Sequence, residues 1–89
     1  MNIQLNRYWF EFANPPRFNV LSVGCGITAY TYQDALFLLK KRVFCLSGEL
    51  SIKSCIEDIN IAELDQGHVI PNMGDVTQRG VWFPLGYDQ

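Results

Sequence analysis

The chain has 89 residues, 48% hydrophobic and 13% aromatic, and carries seven bases against nine acids. This length and composition exclude a disordered chain and a second domain, and leave room for one modest core over 1–89. The charge is uneven: five bases and two acids up to Arg42 give +3, while two bases and seven acids from Val43 onward give −5, so half of the chain can offer an acidic surface to a cationic partner.

Leu5 to Phe12 alternates and is rich in aromatics. Tyr8, Phe10 and Phe12 fall on one face, with Trp9 and Glu11 on the other, which predicts a strand. Asn14-Pro15-Pro16 ends it, because proline has no amide hydrogen to give a ladder. Phe18 to Ala29 reads as a second strand, paired antiparallel with the first. Gly24 and Gly26 bracket Cys25 there, which marks a bulge or a close backbone approach.

Thr31 opens the clearest helix. Its hydroxyl suits a cap, and Asp34 lies three residues on, where an acid complements the helix dipole and imitates a capping box. Tyr32, Ala35, Leu36, Leu39 and Val43 form an apolar stripe, Lys40, Lys41 and Arg42 fill the last turns, and Ser47-Gly48 stops the helix. Phe37 lies off the stripe. Either another element covers it, or it is an exposed aromatic contact for a partner.

Leu50 to Ile59 reads as a third strand. Asn60 is placed to cap a short helical turn through Ile61-Ala62-Glu63-Leu64, and Asp65-Gln66-Gly67 ends that turn. Residues 65–79 read as a loop, long for so small a domain and on that ground a functional candidate. Gly80 to Phe83 forms a short last strand before Pro84. The predicted fold is α+β, in the order β-β-α-β-β, with one main helix packed on one face of an antiparallel sheet.

The candidate chemistry is sparse. Cys25, Cys45 and Cys55 are an odd set without metal-ligand spacing, and His68 is the one histidine, so no metal site and no cofactor is expected. Cys25 with His68 and Asn72 is the one combination that suggests a nucleophile, in a small enzyme or ligand-binding module. It lacks an orienting third residue and a recognisable oxyanion loop, and a buried cysteine is common in cores. His68 alone reads equally as a hydrogen-bonding strut for the loop. Gly24-Cys25-Gly26 is too short to cradle phosphate, and the acidic balance disfavours nucleic acid as a direct ligand. Glu57 and Asp58, or Glu63 and Asp65, could pair for hydrolysis or a divalent ion. Neighbouring strand residues point to opposite faces, however, so a solvated or docking surface fits Glu57 and Asp58 better. Trp82 is an interface anchor if it is exposed, which holds unless the helix and a loop cover both sides of its strand. Without a spanning segment or a secretory signal, and with unpaired cysteines, the chain is expected in a reducing cytosol, away from membranes.

Three segments carry a resemblance: Ile56-Glu57-Asp58-Ile59, Leu64 to Gly74 (LDQGHVIPNMG) and Arg79 to Tyr87 (RGVWFPLGY). Together with Tyr8 to Phe12 and Gly24 to Tyr30, they resemble a group of small bacterial proteins. In size and character the chain is similar to the immunity proteins of contact-dependent growth inhibition and other polymorphic toxin systems. That likeness carries no site residues over. It implies a non-enzymatic protein that binds and blocks a cognate toxin domain, often a basic nuclease. The expected partner-binding residues are Glu57, Glu63, Asp65 and Asp75 for attraction, with Phe37 or Trp82 as anchor. A homo-oligomeric structural subunit, paired through a flat sheet face, is the other reading; the immunity reading expects a monomer or a weak homodimer.

Overall fold

A computed structural model of the chain describes residues 4–14, 20–64, 66–67 and 69–84, with the side chain of Val20 left aside. Four strands, β1 (Asn6–Phe12), β2 (Cys25–Ala29), β3 (Ile52–Glu57) and β4 (Gly80–Phe83), form one antiparallel sheet in the order β3-β1-β2-β4. The main helix, α1, lies between β2 and β3. It runs as α-helix over Tyr32–Leu38, widens to a π-helical stretch over Leu39–Phe44, and closes with a turn at Cys45–Ser47. The fold is α+β with the element order read from the sequence.

The alternation of β1 builds two cores rather than one. Tyr8, Phe10 and Phe12 join Cys25, Ile27, Ala29, Val81 and the buried side of α1. Trp9 joins Trp82, Phe83, Ile59, Leu64 and Val69 on the other face. The sheet is therefore covered by the helix on one side and by the segment from Ile59 to Val76 on the other. Placing an irregular segment over an apolar sheet face obliges its backbone to find partners. Thr28 Oγ1, buried, donates to the Val76 carbonyl at 2.7 Å, and Gly74 N donates to the Trp82 carbonyl at 2.7 Å. The second bond closes the outer edge of β4.

Several boundaries move from their sequence reading. Within the predicted second strand, Val20–Ser22 is a 3₁₀ turn, and the paired strand begins only at Cys25. The third strand is trimmed to Ile52–Glu57, since Asp58 turns out of it at φ +54°. An aspartate tolerates this left-handed conformation better than most residues. The helix start is as read: the Thr31 hydroxyl accepts from Asp34 N at 3.1 Å. Its end is also as read, at Gly48 with φ +87°. Leu38, outside the predicted stripe, is buried with Leu39 and Val43. The wider π turn, with its i to i+5 bonding, brings residues five apart such as Leu38 and Val43 onto one side. Among the described residues, no helix is long and apolar enough to cross a membrane.

Candidate functional site

The face of the sheet away from α1 carries a cleft shaped to hold something. Trp9 on β1 is its base. The Trp9 ring stacks on Trp82 with centroids 5.9 Å apart and leans on Phe83 at 5.6 Å. These rings fit because two glycines lie beneath them. A Cβ on Gly26 would stand 2.3 Å from the Trp82 ring, and one on Gly24, at φ +145°, would stand 2.4 Å from the Trp9 ring. The Gly-Cys-Gly sequence is thus the seat of two tryptophans. The close approach read from the sequence is to these two rings. A register shift between Gly26 and Ile27 lies opposite Trp82, so Trp82 and Phe83 both enter the second core.

Beside this stack opens a cleft of about 280 Å³. Its buried floor is Trp9, Ile59, Leu64 and Val69, with Val23 and the exposed Ile56 at its sides. Two exposed carboxylates, Glu11 and Glu63, line its mouth. The Glu11 side chain and the Glu63 backbone are held by local structure. Glu11 Oε1 accepts from Ser54 Oγ at 3.1 Å, across the pairing of β1 with β3. Glu63 closes the 3₁₀ turn Ile61–Glu63, whose start is capped by Asn60 Oδ1 accepting from Ala62 N at 3.0 Å. Arg7, on the same face of β1, donates from Nε to the Ile59 carbonyl at 3.1 Å and does not line the cleft. The cleft therefore offers an apolar, aromatic floor under a negative mouth.

The residues expected to meet a partner are dispersed. Glu63 sits at the cleft, but Glu57 pairs with Tyr8 and so stands on the helix side of the sheet. Asp75 lies in the segment that closes β4 and accepts from Thr77 N at 2.8 Å, which with the Thr77 hydroxyl holds its carboxyl below the usual range. Asp65 lies outside the described residues, as does His68. Phe37 is 53% exposed, so no other element covers it, and Lys41 Nζ lies 5.5 Å from its ring centroid. Its surroundings are cationic, not acidic. Trp82 is no surface anchor. It is 2% exposed, because helix and loop do cover both faces of its strand, and it is a core residue. Both sheet faces being covered also removes the flat face expected to make a homodimer.

The thiol reading does not assemble. Cys25 is fully buried in the core beneath α1, and desolvation pushes its thiol far above the ordinary value, which removes the reactive thiolate. The segment bearing Asn72 packs on the opposite face of the sheet through Ile70 and Met73. Cys55 is pushed up to about 11 by burial and by the charge of Glu57. No group of three or more potential metal ligands occurs among the described residues.

Sequence reasoning missed Glu11 and Trp9 as site residues. The alternation placed them together on one face, but only the cover from Ile59 to Val69 turns that face into a cleft. No protein-family model matches the chain, and no curated protein or solved structure matches it.

Proposed function

We propose that this protein acts by binding and masking a cationic partner, as an immunity or inhibitor protein against a basic bacterial toxin domain. The observation that carries this reading is the acidic edge of the sheet. From Glu49 to Glu63 four exposed carboxylates (Glu49, Glu57, Asp58 and Glu63) stand against one exposed base, Lys53. They lie on and around β3, an edge strand, with Ile56 45% exposed among them. A negative surface of this kind speeds encounter with a positive one, and an exposed apolar side chain within it supplies contact area once the charges have met. Its orientation on an edge strand leaves both cores undisturbed when a partner docks. In this reading the protein works in the cytosol, where its three unpaired cysteines stay reduced.

The resemblance to immunity proteins supplies the class of partner, and the charge supplies its sign. A stable complex buries roughly 1,200–2,000 Å² in total, within reach of one face of a domain this size. The experiment is to search the neighbouring genes of the host for a toxin with a basic C-terminal domain and to measure binding between that domain and the purified chain; the lack of any such neighbour contradicts the proposal. The expected result is a one-to-one complex whose association rate falls about tenfold or more between 50 and 500 mM salt. Absence of a complex at low salt contradicts the proposal.

A further inference from the structure

The cleft over Trp9 has features that a simple acidic surface does not need. We infer that it seats a single arginine side chain of the partner, an inference that rests on the binding reading above and adds the site at which one residue is recognised. At about 280 Å³ the cleft falls just below the ~300–1,000 Å³ of typical small-molecule sites, so it suits one long side chain better than a nucleotide or a drug-sized cofactor. Among the described residues its lining contains two carboxylates and no base. An apolar floor with an acidic mouth is complementary to a side chain that is aliphatic along its stem and cationic at its tip.

Arginine meets these demands better than lysine. Its guanidinium is planar and weakly hydrated, and it offers five donors in a fixed fork. Glu11 and Glu63 provide acceptors from two separate elements, and the Glu11 carboxylate is already held by Ser54, which reduces the ordering left to be done on binding. The floor is equally fixed, because Trp9 is wedged between Gly24, Trp82 and Phe83.

The test is an NMR titration of the full chain with Nα-acetyl-arginine amide, beside its neutral citrulline counterpart. Saturable shifts are expected at the Trp9 indole N–H, Ile56 and Leu64. The citrulline compound and the Glu11→Gln/Glu63→Gln variant should each bind about tenfold more weakly or worse. Both glutamates are exposed, and the dispersion of the variant's spectrum reports directly that it is folded. No saturable shift at Trp9, equal binding of citrulline, or full binding by the double variant would each overturn the assignment. The two readings fail separately. If the arginine probe binds but the basic toxin domain does not, the cleft stands and the toxin reading falls. If the toxin domain binds the double variant undiminished, the cleft assignment falls and the toxin reading stands.

Discussion

At the scale of single residues, two glycines decide whether one face of this sheet can exist. Gly24 and Gly26 could be read from the sequence as marking a close approach, but the sequence could not say what approaches. The tryptophans that do so are 15 and 56 positions away from Gly24 and Gly26 respectively (Trp9 and Trp82), and they meet only because β1, β2 and β4 are neighbours. Adding one methyl at Gly26 drives it into the Trp82 ring, which is boxed in by Trp9. Gly26→Ala is therefore expected to lower unfolding free energy by about 2–3 kcal/mol, the upper part of the range for an overpacked core. Chemical denaturation checks this, and the fluorescence of the stacked tryptophans gives the signal. An unchanged midpoint would mean that the stack is looser than described. The same scale explains the failed reading of Trp82: its burial depends on a long segment whose path has no periodicity to betray it.

At the scale of elements, the helix was the most legible part of the sequence, because its cap, stripe and stop are all local. Thr31 caps as expected, while the Asp34 carboxylate reaches past the cap residue instead of closing a capping box on it. It accepts from Tyr30 N at 3.1 Å and, through both oxygens, from Arg79, whose Nε lies 2.8 Å away. That pair ties the start of α1 to the residue just before β4, and Arg79 also lies 5.7 Å from the Tyr30 ring centroid. No local pattern could reveal a partner 45 residues away. Arg79's hydrogen bond, with the Tyr30 amide adding to it, holds the Asp34 carboxyl below its usual range against the opposing effect of burial. A carboxyl depressed in the folded state adds stability above its unfolded value and loses it as the pH falls through the folded one. Asp34→Asn should thus cost about 1 kcal/mol at neutral pH, an exposed partner limiting the gain. The gap between wild type and variant should close as pH falls below about 4. Urea midpoints measured from pH 7 to pH 3 test the sign; a gap that widens on acidification would contradict it. Strand edges were less legible than the helix, since the turn at Asp58 and the 3₁₀ turn at Val20–Ser22 interrupt sequences that still look strand-like.

At the scale of the whole molecule, the chain uses its small size by sandwiching one sheet between a helix and an irregular cover, so that among the described residues both faces of the sheet are covered. The fold class was legible because hydrophobic alternation and one strong helix suffice to specify it. The candidate site was legible only in its charge. The acids from Glu49 to Glu63 announce a negative surface in sequence, whereas their distribution over two faces and the cleft above Trp9 come from tertiary packing. On the proposed reading, the molecule meets its partner chiefly with an acidic sheet edge, and the charge there performs the function. Protection of cells is the direct measurement. On the proposed reading, a bacterium producing a basic toxin domain that this chain binds should survive when the wild-type chain is co-produced. It should die when Glu49, Glu57, Asp58 and Glu63 are together replaced by lysine in a variant shown by circular dichroism to be folded. Survival with the charge-reversed variant at equal abundance would contradict the account.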